Sequence, residues 1–104
     1  MYNNYNISDQ FNSIDLNIDL NEYKRVKIIC ITYEIYITEI EFIPEINKVY
    51  ACIFYAEGSI RNRKFKVNSD YTITVFDATF WHMTAGIGID NNFLIPYRII
   101  GYNK

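Results

Sequence analysis

The sequence predicts an all-β fold, a small single-domain β-sandwich or barrel of about six to eight short, mostly antiparallel strands with little or no helix. Apolar and polar residues alternate along several short segments, which is typical of half-buried strands. Turn-forming residues recur about every ten residues between these segments. The 104 residues include 19 Ile and 10 Tyr but only three Leu and four Ala, which favours strands over helices.

The start of the chain divides into an arm and the first strand. Residues 1–13 are polar and aromatic without periodicity, so they predict an N-terminal arm, and residues 14–104 are assigned to one all-β domain. Strict alternation begins at residue 14 and continues to residue 20. It would place four side chains on the core side: Ile14, Leu16, Ile18 and Leu20. Period two over this length indicates a strand with one face in water.

Residues 26–43 form an apolar-rich run without Gly or Pro. One straight strand of this length would span ~59 Å, which is too long for a domain whose radius of gyration should be ~13 Å. The parity of the apolar positions changes near Thr38 and Glu39, so we predict a bulge, bend or strand switch there. Residues 28–31 are apolar on both parities, as in a strand covered on both faces.

The remainder of the chain is punctuated by turn residues. Four further segments predict strands: 48–56, 60–67, 71–76 and 93–102. Residues 57–59 predict a tight hairpin connection between the first two of them. Residues 77–88 are less regular. Pro96 predicts that the last strand lies at a sheet edge, because proline cannot donate a ladder hydrogen bond.

Two cysteines, Cys30 and Cys52, lie inside predicted strands. Neither has a second Cys or a His at zinc-ligand spacing. We expect buried free thiols that pack as small apolar side chains.

Charge and hydropathy exclude several classes of protein. The net charge of −2 argues against a binder of nucleic acid or anionic membranes that relies on electrostatics. The longest uncharged stretch, residues 78–89, is shorter than the ~18–20 apolar residues of a membrane span. No charged segment precedes an apolar one at the start, so we expect no secretion signal. Gly86 and Gly88 lack the remaining residues of a phosphate loop, and no cofactor or metal is expected.

The single histidine, His82, lies among large apolar residues. As a general base beside Asp77 or Asp90 it would support a small hydrolase. A histidine in such surroundings is more often structural, so we expect no catalytic residue and no enzymatic activity.

The only basic cluster supports an alternative function. Four basic residues lie within six positions of one strand: Arg61, Arg63, Lys64 and Lys66. With the many tyrosines, they would suit an OB-like barrel that binds a single-stranded nucleic acid by stacking and by phosphate contacts. Strand alternation divides these charges between two faces, and the whole chain is acidic. Charges that protect an edge strand against pairing explain the cluster equally well.

The segment 78–85 carries three large apolar side chains, Phe80, Trp81 and Met83. We favour burial of these side chains as a core plug, and a partner-binding anchor is the alternative. For a binding protein, the candidate partner-contact residues lie in this segment, in the arm and in the last strand: Tyr2, Tyr5, Phe80, Trp81, Met83, Tyr97 and Arg98.

The leading hypothesis is a non-enzymatic interaction protein. The Ile, Asn and Tyr bias fits an AT-rich genome, and in size and composition the chain resembles small virion proteins of phages infecting low-GC hosts, including crAss-like phages, although no motif carries this similarity. The resemblance implies an auxiliary, or decoration, protein of a viral capsid, found in the virion or the host cytoplasm. Its partner would be a capsid or other assembly surface, with homo-oligomers left open. The alternatives are a phage-encoded inhibitor of a host defence complex and the OB-like nucleic-acid binder.

Overall fold

The computed structural model describes residues 2–4, 6, 10–56 and 58–103. Within these ranges the chain forms nine strands and no helix, which confirms the all-β prediction. The strands are β1 (Tyr2–Asn3), β2 (Ile14–Leu16), β3 (Tyr23–Thr32), β4 (Tyr36–Phe42), β5 (Val49–Ala56), β6 (Ser59–Val67), β7 (Ile73–His82), β8 (Gly86–Ile89) and β9 (Ile95–Asn103).

The strands form two antiparallel sheets. Sheet A has the order β1-β9-β3-β4, and sheet B has the order β2-β7-β6-β5 with β8 also paired to β7. Strand β2 pairs with residues 73–75 of β7 and β8 pairs with residues 79–82, so these two short strands share one side of β7. Throughout the described ranges no strand pairing connects sheet A to sheet B, so the barrel alternative is wrong.

One hydrophobic core joins the inner sides of both sheets. Sheet A contributes Val26, Ile28, Cys30, Phe42 and Ile99, and sheet B contributes Cys52, Phe65, Val67, Ile73 and Val75. Leu20 and Leu94 enter the same core from connecting segments. Each Val, Leu, Ile or Phe side chain of this core contributes about 1.5–3 kcal/mol of favourable transfer free energy when it is fully buried.

The two cysteines belong to this core. Both are free and buried, as predicted. Burial raises the pKa of the Cys30 thiol well above its usual value, and a hydrogen bond with the Cys52 thiol adds to that shift. Cys30 is therefore a protonated, apolar core side chain at neutral pH.

The break within residues 26–43 lies earlier than predicted. Tyr33 and Glu34 adopt positive φ values of 55° and 62°, and the Ile35 amide donates to the Thr32 carbonyl (3.3 Å). Residues 38 and 39 instead belong to the regular β3–β4 ladder. A left-handed turn is normally announced by Gly, Asn or Asp, and none of these occurs here.

Residues 77–88 are more regular than predicted. Strand β7 continues to His82 and turns back into β8. Phe76 and Asp77 together lie opposite Lys64 of β6, at a shift in register. This bulge moves the buried positions of β7 from odd to even residues, so alternation on its two sides is out of phase.

The edge position predicted from Pro96 is also wrong. Strand β9 lies between β1 and β3. The register of β9 against β3 shifts between Arg98 and Pro96, so the proline occupies an irregular point of the ladder, where a missing donor is tolerated. The other predicted strand to differ is residues 14–20, since β2 ends at Leu16.

Described residues of the arm contact the domain. Strand β1 pairs with β9. The Phe11 amide donates to the Asn91 carbonyl (3.1 Å), and the Ser13 amide donates to Asp77 Oδ1 (2.8 Å).

Candidate protein-interaction surface

The outer side of sheet B carries a continuous row of apolar side chains. Tyr55 of β5 lies opposite Ile60 of β6, Ile60 lies opposite Trp81 of β7, and Trp81 lies opposite Ile87 of β8. Residues directly opposite in antiparallel strands point to the same face. The row therefore crosses four strands on one side of the sheet.

A second row lies one pair further along the strands. It begins with Ile53 on β5 and ends with Ile89 on β8, with Asn62 and Thr79 between them. We call the six apolar residues of the two rows the apolar face: Ile53, Tyr55, Ile60, Trp81, Ile87 and Ile89.

All six side chains of the apolar face are exposed. Ile87 is 81% exposed and Trp81 is 50% exposed. With strands about 4.8 Å apart, the four-strand row is ~14 Å wide between its outer strands. Single exposed apolar residues are ordinary, but contiguous apolar patches on soluble proteins often mark a site of interaction.

The sequence of β5 explains half of this arrangement. Its residues are apolar on both parities, with Cys52 buried on the inner side and Ile53 and Tyr55 on the outer side. A strand apolar on both sides is usually covered on both faces. Here the strand lies at the end of sheet B, and none of the described residues covers its outer side.

Tight turns position the end of the apolar face. Gly58 and Gly86 have φ values of 78° and 82°, which glycine adopts without strain. A Cβ atom on Gly58 would lie 2.8 Å from Met83 Sδ, so the β7–β8 turn packs directly on the β5–β6 turn. Met83 is thereby held against the β5–β6 turn with its side chain exposed.

The opposite end of the outer side is polar. Lys66 of β6 lies opposite Thr74 of β7, which lies opposite Asp15 of β2. The Thr74 hydroxyl donates to Asp15 Oδ1 (2.6 Å). Only Val49, opposite Lys66, is apolar in this row, so the apolar face ends at a mostly polar row on this side.

The predicted partner-contact residues do not share one surface. Trp81 lies in the middle of the apolar face, and Met83 lies in the turn that follows β7, against the β5–β6 turn. The preference for a core plug is wrong for these two residues, because register places Trp81 on the outer side and Met83 lies in the exposed turn. Phe80 is half-buried on the inner side, 5.1 Å from the guanidinium of Arg61.

The other partner-contact candidates lie on sheet A or outside the described residues. Tyr2 is half-buried against the core, and burial raises its pKa. Tyr97 is half-buried, and Arg98 is exposed on β9. Tyr5 lies outside the described residues.

Sequence reasoning did not identify five residues of the apolar face: Ile53, Tyr55, Ile60, Ile87 and Ile89. One signal was present, since β5 is apolar on both parities while its hairpin partner β6 carries the basic cluster. A strand that is apolar on both parities is normally covered on both faces, so the sequence of β5 could have indicated an apolar outer side.

The basic cluster is divided by strand alternation. Arg63 is fully buried, and burial lowers its pKa to about 10, so it remains a cation at neutral pH. Its guanidinium donates to four backbone carbonyls and one side-chain oxygen: Leu94 O (3.0 Å), Phe93 O (3.0 Å), Phe11 O (2.7 Å), Phe76 O (2.9 Å) and Asn91 Oδ1 (3.4 Å).

Arg61 also points inward. It pairs with Asp90 Oδ2 (3.1 Å) and stacks 3.5 Å from the ring centre of Phe93. Lys64 is exposed and Lys66 half-buried on the outer side of β6. The four candidate phosphate-binding residues therefore do not form one basic surface.

His82 closes the turn between β7 and β8. Its Nδ1 accepts hydrogen bonds from the backbone amides of Thr84 (3.1 Å) and Ala85 (3.2 Å). The acids considered as its catalytic partners bond to other groups. Asp77 accepts from Asn91 and Ser13, which lowers its pKa, and Asp90 pairs with Arg61. The described contacts of His82 are those of a turn-stabilising residue.

No cluster of three or more His, Cys, Asp or Glu side chains suited to a metal ion occurs among the described residues. The part of the chain that the structure describes also contains no helix able to cross a membrane.

Comparison with known proteins adds no family. No protein-family model, curated protein or solved structure matches the chain significantly.

Proposed function

We propose that this chain is a non-enzymatic protein-binding module, and that it binds its partner through the apolar face of sheet B. In this proposal the two sheets form a β-sandwich scaffold that holds the face rigidly. The partner is a capsid surface, and the chain is an auxiliary protein of a virion.

The observation that carries the binding role is the four-strand row Tyr55–Ile60–Trp81–Ile87. Burying exposed apolar area contributes roughly 25 cal/mol per Å², and Trp and Tyr are enriched among the residues that dominate binding energies. Both residue types lie in this row. A rigid sheet also loses little conformational freedom on binding, which favours affinity.

The capsid as partner is supported by size and composition. A repeated coat lattice offers many copies of one site, so a small protein with a single binding face can decorate it densely. The same face would serve an inhibitor of a host enzyme, which stays the second candidate within the binding class. The OB-like alternative has less support, because Arg61 and Arg63 point inward and the sheets do not close into a barrel.

The test is a comparison of two aromatic substitutions on opposite sides of the molecule. Trp81→Ala should lower the occupancy of the protein on purified particles at least about tenfold, as expected for a central interface aromatic. Tyr102→Ala on sheet A is the matched control and should leave occupancy unchanged. Circular dichroism and thermal unfolding establish that both variants are folded.

The outcomes separate the candidate functions. Equal occupancy of Trp81→Ala and wild type would remove the apolar face from the interface. If the chain binds a host enzyme instead of coat protein, the capsid role is wrong and the chain is an inhibitor of that enzyme. Binding that is lost on nuclease treatment and falls steeply with salt would overturn protein binding in favour of nucleic acid.

A further inference from the structure

Strand β5 has one unpaired edge. It pairs with β6 from Val49–Lys66 to Ala56–Ser59 without a shift in register. On its other side no strand of the described ranges pairs with it, so it ends sheet B.

The backbone groups on that open edge can be assigned. The Val67 amide donates to the carbonyl of Lys48 (3.0 Å), and hydrogen-bonded pairs recur at every second residue of an antiparallel ladder. The even-numbered residues of β5 therefore bond to β6. The amides and carbonyls of four residues point to the open side: Val49, Ala51, Ile53 and Tyr55.

The sequence of β5 does not protect this edge. Val49–Ala56 contains no charged residue and no proline, and the strand has no bulge. Natural edge strands usually carry one of these features to prevent pairing with another chain. Strand β4, which ends sheet A, is protected in this way by Glu39 and Glu41.

Apolar side chains surround the open edge. Of the sixteen large apolar side chains that are exposed within the described ranges, nine lie on β4, on β5 or in the connections next to them. They are Tyr33, Ile35, Tyr36, Ile37, Ile43, Ile46, Val49, Ile53 and Tyr55. A cleft lined by Tyr33, Tyr36, Phe54, Tyr55 and Ala56 lies at the hairpin end of this side.

We propose that β5 pairs with β5 of a second copy of this chain, antiparallel and about a two-fold axis. Sheet B would then continue through both copies. The two-fold axis could pass at Cys52 or at Ile53. In both cases the side chains near the axis on the outer side of the sheet would be Ala51, Ile53 and their symmetry mates. The apolar faces of the two copies would become one surface on the same side of the extended sheet.

A second copy fits this edge better than an unrelated peptide for two reasons. In two-fold pairing the strand lies against its own copy, so a charged side chain would be close to an identical charge and would repel it. Strand β5 carries no charged residue, whereas β4 carries Glu39 and Glu41. A stable dimer also needs ~800 Å² buried on each partner, and backbone pairing alone buries less. The nine flanking apolar side chains supply the additional area.

The experiment measures self-association of the full chain by sedimentation. Wild type should be a dimer at micromolar concentration. Ile53→Lys places two ammonium groups close together across the axis and should weaken the dimer at least about tenfold. Ile14→Lys on β2, at the opposite end of sheet B from β5, is the matched control, since Ile14 and Ile53 are 48% and 59% exposed, and it should remain dimeric.

A mixing experiment tests the symmetry. Ile53→Lys and Ile53→Glu should each be monomeric at the concentration at which wild type is a dimer, and an equal mixture should restore a dimer containing one copy of each. A monomeric wild type, or a dimer unaffected by Ile53→Lys, would overturn the proposal. Restoration by the mixture would also exclude unfolding as the cause of dissociation.

The result is separate from that of the proposed function. Trp81 lies two strands from the open edge, so Trp81→Ala should lose partner binding and remain dimeric. Loss of the dimer in Trp81→Ala would instead place the apolar face itself in the dimer interface and contradict pairing through β5.

Discussion

The two sheets share a core but present opposite chemistry to the outside. On sheet A, Arg25 pairs with Glu41 (2.8 Å) and Lys27 with Glu39 (3.6 Å) across β3 and β4, and Arg25 also lies over the ring of Tyr102. On sheet B, the corresponding positions carry the apolar face. The outer side of sheet A therefore presents ion pairs to water beside the exposed Ile37, and that of sheet B presents isoleucine, tyrosine and tryptophan.

The difference shows that the fold itself does not require an apolar outer side. Sheet A demonstrates that an outer side with charged residues is compatible with the shared core. The apolar outer side of sheet B is therefore not required by the core that the two sheets share, and contact with another protein is the explanation that we propose. This comparison supports placing the binding site on sheet B rather than on the arm and last strand.

The largest expected effect on stability is that of replacing Arg63, the buried cation of β6. Arg63→Met removes the donor of five hydrogen bonds and leaves buried carbonyls without partners. Unsatisfied buried groups of this kind should lower the free energy of unfolding by about 3–5 kcal/mol. Urea unfolding measures the change.

Lys64→Met is the control for that substitution. Lys64 is the next residue of β6 and its side chain is exposed, so the change should stay within about 0.5 kcal/mol. Equal effects of the two substitutions would show that the hydrogen bonds of Arg63 contribute nothing to stability.

A smaller effect concerns the carboxylate at the bulge of sheet B. Hydrogen bonds from Asn91 and Ser13 lower the pKa of Asp77 below its usual value of 3.8. The stability that it contributes is present above the unfolded-state pKa and is lost as the pH falls through the lower folded-state pKa. Wild type should therefore exceed Asp77→Asn in stability at neutral pH, and the difference should shrink in acid.

Unfolding at pH about 6 and about 3 measures that difference. Because the hydrogen-bond partners of Asp77 are neutral and the one cation that also lowers its pKa, Arg63, is buried, added salt should change the difference little. A difference independent of pH would contradict the role of the ionised carboxylate.

The smallest effect concerns the ion pairs of sheet A. Arg25 and Glu41 are both well exposed, so Glu41→Gln should lower the free energy of unfolding by about 0.5 kcal/mol or less. This difference should diminish in high salt, unlike that of Asp77→Asn. A loss well above 1 kcal/mol would show that the outer side of sheet A is structurally essential.

The all-β class, the antiparallel pairing of β5 with β6 and the buried cysteines could be predicted, because alternation and turn residues indicate these features. The turn at Tyr33 and Glu34 could not, because neither residue signals a positive φ. The full length of β7 could not be predicted either, because the bulge at Phe76 and Asp77 puts the alternation on its two sides out of phase.

The apolar face was only partly visible in the sequence. Trp81 is conspicuous in the sequence as the single tryptophan. Its place in the apolar face, however, depends on its pairing with Ile60 and Ile87, and on the pairing of Ile60 with Tyr55. These contacts join separate strands, so no local pattern reveals them. Burial of Arg63 was equally hidden, because its carbonyl partners come from distant segments.

Those distant partners have a consequence for folding kinetics. The carbonyl groups bound by Arg63 lie 13 to 52 residues away along the chain, so each bond must wait for a long loop to close. We expect the guanidinium to lose its bound water only after the folding transition state. The kinetic φ-value of Arg63, which is the fraction of its stabilising effect already present in the transition state, should therefore be near zero. Substitution of Arg63 would then leave the folding rate nearly unchanged and accelerate unfolding, so the hydrogen bonds of Arg63 lengthen the lifetime of the native state.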